Sequence, residues 1–515
     1  MVLSNFQSHD LMLMFASVAC IAVSILMYVY NRSVIAIILL IIGAFGLRIF
    51  MAHLDPYLWD WDERYHVMVA KNLLQNPLRP SLYSNPILPY DYTNWTANEI
   101  WVHKQPLGLW QIALSFWLFG VNQFTARIPM AVEGAILVWF IYRIGVITVN
   151  KNVGYLSALF YAVSFYALDF MTGGQATDHV DYALVFYVSA SLWAFIEYRQ
   201  HYKLKWFLLI GIFAGLAVLS KWTIGLLVFP AWFIVVLSDK EERKLIGSYL
   251  LILKAFIISV IVFLPWQLYC LIHYPLETKY EMAYNSSHLL TEVDGRGETK
   301  WYYLEQLAHN YGPPVPYIIG FALLFMWRYI KRRDYKIFIF STLIITYFLF
   351  SIIAATKMPA YCYIACIPVV LAMGSLLWCG QQYIAKRKLL NIKWIICLGL
   401  MLIAIFSINF YGIAKRHSGY DPNNVYRINK VRYTDYFRKI KNEMPKDYVV
   451  FGTQPGWEIE MMFYTGNTCY PNIPDLEKYT QLKARNIKMA IVKSDKAPDY
   501  MLNDKDVLKV SAFPQ

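Results

Sequence analysis

The chain has 515 residues, of which 58% are hydrophobic, 17% aromatic and only 16% charged. That composition excludes an ordinary soluble domain and predicts a polytopic membrane protein. The net charge of +13 is spread over short loops and a tail, which fits positive-inside loops and argues against a nucleic-acid partner.

The N-terminus lacks a basic leader, so residues 11–30 read as a retained span rather than a cleaved signal peptide. A second apolar run covers 33–54. Beyond it lies a polar, aromatic-rich segment, 59–110, which opens Trp59-Asp60-Trp61-Asp62-Glu63-Arg64-Tyr65-His66. Residues 64–75 carry apolar side chains at helical spacing, as expected of a short helix lying in the membrane interface. Asp62 and Glu63 stand at its start, where partial desolvation adjusts a carboxylate towards general-base work; the plainer reading is a helix cap or a solvated pair. The segment closes with His103-Lys104-Gln105-Pro106-Leu107, and the apolar stretch 105–120 is assigned to the same outer loop, 55–126, lying on or dipping into the bilayer.

Further candidate spans are 127–149, 153–170, 179–198, 206–220, 222–238, 247–270, 316–330, 336–355, 361–380 and 394–413, about 12 in all with the first two. The connections 199–205, 239–244, 328–336 and 386–393 are rich in Lys and Arg and are placed in the cytoplasm. Counting crossings then puts 55–126, 171–178, the turn at Lys221, 271–315 and the turn at Lys357 outside. Loop 171–182 delivers Asp178 and Asp181 to the start of the next span. Ionisable groups at such a helix end face a cavity or simply cap; capping explains Asp178 and explains Asp181, about a turn into the helix, less well. Lys104, Lys221 and Lys357 each stand at an outer end of an apolar segment. Singly each reads as a snorkelling lysine; converging, they would hold a phosphate head group presented from the bilayer.

From about residue 414 the pattern becomes that of a small outer α/β domain, with strand-like runs at 448–452, 489–492 and 507–510. Its aromatics Trp457, Tyr464 and Tyr470 offer faces for a sugar, although core packing is the plainer reading. The seven cysteines form no disulfide framework and show no zinc-ligand spacing.

Five ordered motifs carry a resemblance covering roughly residues 33–413. They are Asp62-Glu63-Arg64-Tyr65; His103-Lys104-Gln105-Pro106-Leu107 with Trp110 and Ala126-Arg127-Ile128-Pro129; Gly173-Gly174 through Asp181; the run from Gly215 to Lys221 with Leu264-Pro265-Trp266; and Thr356-Lys357-Met358-Pro359-Ala360-Tyr361 with Pro368. Together they resemble GT-C glycosyltransferases, most closely the undecaprenyl-phosphate aminoarabinose (lipid A) transferases and their protein O-mannosyltransferase relatives.

The resemblance implies an all-α polytopic GT-C core over 1–413, with interfacial helices in the first outer loop and an outer domain over 414–515. It implies a cytoplasmic (inner) membrane enzyme, active on the outer side, that moves a sugar from a polyprenyl-phosphate carrier to a glycolipid or protein acceptor. Asp62 takes the key carboxylate role, with Glu63 beside it and Asp181 as the second acid, Asp178 remaining open for that place. Lys104, Lys221 and Lys357 fall to the donor phosphate, and Tyr65, His103, Asp178 and Tyr361 to substrate contacts. Where relatives often carry an aromatic-Glu-Lys-Pro-Pro form this chain has His103-Lys104-Gln105-Pro106, so sugar or acceptor contacts there are expected to differ. The expected chemistry is single-step inversion at the anomeric carbon. No cofactor is obligatory, although Asp62 and Asp181 leave room for a shared divalent ion. The rivals are a protein Ser/Thr acceptor and, from another class, a transporter of a lipid-linked or anionic solute, for which the paired repeats of transporters are not visible.

Overall fold

The computed structural model describes residues 6–175, 178–293, 295–386, 391–417 and 424–514. Residues 387–390 of the expected basic connection 386–393, and 176–177 of the loop before Asp178, lie outside the described residues. Two antiparallel helices, α1 (Ser8–Val29) and α2 (Ser33–His53), open the chain. They approach closely because Gly43 faces α1, where a Cβ would come within 2.8 Å of the Ser17 carbonyl oxygen, and because the Ser24 hydroxyl donates to the Ala36 carbonyl at 2.6 Å. The first outer loop then supplies α3 (Asp62–Leu73) and α4 (Pro106–Phe119). α4 starts with Pro at its first position and leaves Trp117, Leu118 and Phe119 exposed, an apolar tip suited to the bilayer.

Next come α5 (Gln123–Thr148), started by a reciprocal Asn122–Thr125 capping box, and the bent pair α6 (Lys151–Ala162) and α7 (Phe165–Asp169). α8 (Asp178–His201) is the most enclosed membrane-length helix, 89% of its apolar window being buried, and α9 (Leu204–Lys221) returns beside it. The bundle continues with α10 (Val228–Ser238), α11 (Ile246–His273), the outer helices α12 (Pro275–Leu290) and α13 (Tyr302–Tyr311), and then α14 (Val315–Tyr329) and α15 (Arg333–Phe348). It ends with α16 (Cys366–Lys386), α17 (Ile392–Ile408) and α18 (Phe410–His417).

Among the described residues nine helices are long and apolar enough to cross a membrane, or ten if the pair at 151–172, bent by 52°, is one span. The other two expected spans, 222–238 and 316–330, contain α10 with 11 residues and α14 with 15. At about 1.5 Å per residue such helices fall short of the roughly 30 Å hydrocarbon core.

The C-terminal region is the expected small α/β unit. α19 (Val425–Glu443) leads into β1 (Val449–Phe451), α20 (Trp457–Thr465), β2 (Cys469–Tyr470), α21 (Leu476–Ala484), β3 (Met489–Val492), α22 (Asp499–Leu502) and β4 (Leu508–Val510). The strands form one parallel sheet in the order β2-β1-β3-β4, with Val450 opposite Ala490 and Cys469. Alternation along the strands divides the core: Val450, Ala490 and Val492 pack with α20 and with Val69 and Leu73 of α3, while Phe451, Met489 and Ile491 pack with Tyr479 and Leu482. Trp457 stacks on Tyr433 at 4.1 Å between ring centroids, Tyr464 is buried, and Tyr470 stacks on Tyr83 and accepts hydrogen bonds from the Ile87 and Leu88 amides. All three aromatics therefore serve packing, Trp457 and Tyr464 against α19 within the domain and Tyr470 between the domain and the first outer loop.

Candidate active site

The site begins with the way residues 60–64 are tied down. Glu63 is fully buried and receives both the Nε (2.7 Å) and an Nη (2.9 Å) of Arg127, together with the Trp59 amide at 2.7 Å. Arg127, also fully buried, donates further to the carbonyls of Ala52, Asp55 and Tyr57. Burial alone would raise the Glu63 pKa; the guanidinium overrides it and holds the carboxyl below its usual value. Asp60 lies 3.1 Å from Lys430 on α19, and Arg64 lies 3.5 Å from Asp60 and 3.8 Å from Glu460 on α20. Lys71, two turns along α3, donates to the Met462 and Phe463 carbonyls at the end of α20. The α/β domain thus grips α3 at both ends, and Trp61 and Asp62 are left facing inward.

They face a cavity of about 570 Å³. Asp62 lines it at the first turn of α3, with the Lys104 ammonium 3.5 Å away. Asp181 also lines it, in an ion pair with Lys221, whose ammonium lies 4.7 Å over the Tyr361 ring. His66, one turn after Asp62, has Nε2 3.9 Å from the Asp62 carboxylate and Nδ1 3.1 Å from Asp178. Burial pulls the His66 pKa down to about 4, so the imidazole is neutral at physiological pH. His103 lines the cavity between Trp95, stacked at 4.5 Å, and Glu281, whose carboxylate is 2.8 Å from Nδ1. Burial pushes the two in opposite directions, His103 well below its usual value and Glu281 up to about 7, both towards the neutral form.

Of the residues singled out from sequence, Asp62, Lys104, Asp181, Lys221, His103 and Tyr361 therefore converge on one cavity. Four do not line it. Glu63 points back into the Arg127 tie, and Asp178 is buried against His66 and the His179 amide. Tyr65 packs edge-on against Trp95, and Lys357 turns its ammonium onto the Ala354 carbonyl at 3.0 Å. Lys357 contributes through its backbone instead. Its amide donates to the Arg296 carbonyl, and Thr356 and Ala355 donate to those of His288 and Leu289. That pairing pins the outer loop to the turn before α16 and carries Arg296 and His288 into the cavity wall. Sequence reasoning missed both; the only local signal is Arg296 between two glycines, Gly295 with φ +66°.

Asp62 and Asp181 each already face a lysine, so the cations the chain itself supplies there are ammonium groups. Glu63, Asp178 and His179 do offer three ligand atoms within 4.8 Å of one another, but Glu63 is the carboxylate that Arg127 holds through two nitrogens.

Residues 103–269 match the family model described as dolichyl-phosphate-mannose-protein mannosyltransferase. Among solved structures, ArnT from Cupriavidus metallidurans bound to undecaprenyl phosphate superposes with a TM-score of 0.63 at 12% identity, covering 86% of this chain and 90% of that one. The archaeal oligosaccharyltransferase AglB from Archaeoglobus fulgidus gives 0.54 at 14%, covering 85% of this chain and 64% of that one. The fold is the GT-C fold. In sequence, the chain is 25% identical over 305 residues to undecaprenyl phosphate-alpha-4-amino-4-deoxy-L-arabinose arabinosyl transferase 1 of Pseudomonas fluorescens, covering 56% of this chain. It spans 52% of that relative's length. The stretch matched by the family model includes His103, Lys104, Asp181 and Lys221, whereas Asp62 lies upstream of it.

Proposed function

We propose that this chain is an integral-membrane glycosyltransferase that moves a sugar from a polyprenyl-phosphate carrier to a glycolipid acceptor such as lipid A. The observation that carries the reading is the single cavity holding Asp62 with Lys104 and Asp181 with Lys221, Arg296 beside them. Displacement at an anomeric carbon with a lipid phosphate leaving needs an oriented acceptor hydroxyl at one end and fixed positive charge at the other. Asp62 orients the hydroxyl and takes its proton as the new bond forms. Lys104, Lys221 and Arg296 offset the charge that grows on the departing phosphate, and Asp181 keeps Lys221 in place. Attack opposite the leaving group gives inversion in one step. Neutral His66 meets Asp178 through Nδ1 and so keeps the start of α3 in register with α8.

An active site on the outer face is supported by charge. Helices α8 and α9 carry Asp181 and Lys221 at one end and the basic connection 199–205 at the other. There Arg199 joins Glu242 at 2.7 Å and Asp334 at 3.1 Å, gathering three basic connections opposite the cavity. A protein Ser/Thr acceptor is the second reading, favoured by the description of the family model matched by 103–269.

The test is transfer of labelled sugar from a panel of polyprenyl-phosphate sugars to lipid A or a Ser/Thr peptide, comparing wild type with Asp62→Asn. Transfer by the wild type, lost in a folded Asp62→Asn, is expected. Movement of the lipid-linked sugar across vesicles without transfer to either acceptor would replace the enzyme by a transporter.

A further inference from the structure

Among the described residues seven non-glycine positions have positive φ, and four of them are asparagine, which tolerates that region well. Two of the others are tryptophans: Trp61 at φ 65° and ψ −125°, and Trp222 at φ 55° and ψ −165°. Both ψ values lie far from the left-handed helical well, towards conformations that glycine alone adopts freely. Both residues line the cavity, Trp61 immediately before Asp62 and Trp222 immediately after Lys221. A bulky side chain stays in such a conformation only where its neighbours leave no choice. Here Asp60 is held by Lys430, Glu63 by Arg127 and Arg64 by Glu460, so Trp61 is the residue on which those ties converge.

The two tryptophans differ in surroundings. Trp222 leads into Ile224 and faces a wall that includes Leu349, Phe350 and Ile364, the apolar side of the cavity. Trp61 is 64% exposed and sits beside Asp60 at the mouth. Of the other aromatic faces in the cavity, Trp95 is taken by His103 and Tyr361 by Lys221, and Trp222 belongs to the apolar side. Trp61 has no ring or cation partner among the described residues. An exposed indole face held at a backbone cost beside a carboxylate suits a ligand with an apolar flat face and a polar edge. A pyranose has both, its axial C–H groups on the ring and a hydroxyl at the edge. A serine or threonine on a peptide offers little more than one methylene.

Resting on the glycosyltransferase reading, we propose that Trp61 is the acceptor platform and that the acceptor is a saccharide, stacked on the indole so that one hydroxyl reaches Asp62. The test uses Trp61→Gly and Trp61→Phe in nanodiscs, with binding of lipid A and of a Ser/Thr-rich peptide measured separately from turnover. Glycine relieves the backbone strain and removes a mostly exposed ring, so its melting temperature should equal or exceed that of the wild type. Its lipid A affinity should fall tenfold or more and its acceptor KM rise to match, with the donor KM within twofold of wild type. Phenylalanine should hold lipid A affinity within about threefold of wild type. A clear fall in melting temperature for Trp61→Gly with both KM values unchanged would make Trp61 a packing residue. Undiminished lipid A binding and transfer by Trp61→Gly would overturn the platform while leaving the transferase intact. Trp61-dependent binding of the peptide would overturn the saccharide assignment. A wild type that neither binds nor modifies either probe would overturn the platform and the enzyme reading together.

Discussion

Replacing Glu63 by Gln separates stability from chemistry at two adjacent carboxylates. Successive residues on a helix point about 100° apart, and here Asp62 turns to the cavity and Glu63 back to Arg127. The inner pair is fully buried, and the guanidinium also bonds three carbonyls at 2.7 to 3.2 Å, so it stays in place when Glu63 loses its charge. Glu63→Gln therefore leaves a buried cation without its counter-charge and sets an amide NH2 or a lost acceptor against the Trp59 amide. Breaking one side of a buried, hydrogen-bonded ion pair costs about 3–5 kcal/mol. The protein should melt several degrees lower, yet below that transition its turnover should stay within about threefold of wild type. Asp62→Asn should give the opposite pattern, an unchanged melting temperature with turnover down by about 10²–10⁴, the range of a general base. The assay is thermal unfolding by tryptophan fluorescence in detergent, paired with sugar transfer at 20 degrees below the transition. A Glu63→Gln protein that melts like the wild type but turns over as poorly as Asp62→Asn would refute the division of labour.

Lys104→Met and Arg296→Met should each raise the donor KM or lower turnover by tenfold or more, whereas Lys357→Met, whose ammonium faces the Ala354 carbonyl, should leave the donor KM within twofold; steady-state kinetics with a labelled carrier decides. Lys221→Met removes a cation from the phosphate end and should cost about as much activity as the double variant with Asp181→Asn, because Asp181 acts by holding that lysine, a comparison made by a double-mutant cycle. Glu458 is buried at the start of α20, and desolvation raises its pKa to about 7. Its folded-state pKa exceeds the unfolded value, so the stability it contributes is present below about pH 4.5 and is lost as pH rises through 7, to a total of about 3 kcal/mol. Glu458→Gln should flatten that part of the fall in melting temperature between pH 5 and pH 8, and an unchanged slope would place the titration elsewhere.

The membrane helices were legible because hydropathy registers as a sum over twenty residues, which no single contact can reverse. The two short ones, α10 and α14, fall below membrane length, which was hidden because an apolar run does not show where its helix begins, yet the Arg199 ties to Glu242 and Asp334 put their far ends opposite the cavity. Single side chains were harder. Asp62 and Glu63 look alike in sequence, and only the position of Arg127, 64 residues later, tells them apart. Asp178 and Asp181 both sit in the first turn of α8, but Asp181 alone among the two lines the cavity. Lys357 misled for a local reason: its chain turns back on its own carbonyl three residues earlier, and Arg296 reaches the cavity through backbone pairing that leaves no mark on composition.

The ties between the first outer loop and the end of the chain also bear on how the protein is made. Asp55 is held by His417 at 2.8 Å and by Arg427 at 2.7 Å, and Asp60 by Lys430 at 3.1 Å, pairs separated by 362 to 372 residues. At about 5–20 residues per second the ribosome needs some tens of seconds to synthesise that interval. Until it does, Asp55 lacks His417 and Arg427, and Asp60 lacks Lys430. A nascent chain with every earlier helix already inserted would hold the turn before Asp62 through the Glu63–Arg127 pair, and the ties from α18 and α19 would be added last. The order of synthesis thus makes the grip of α18 and α19 on residues 55–60 one of the last contacts to form.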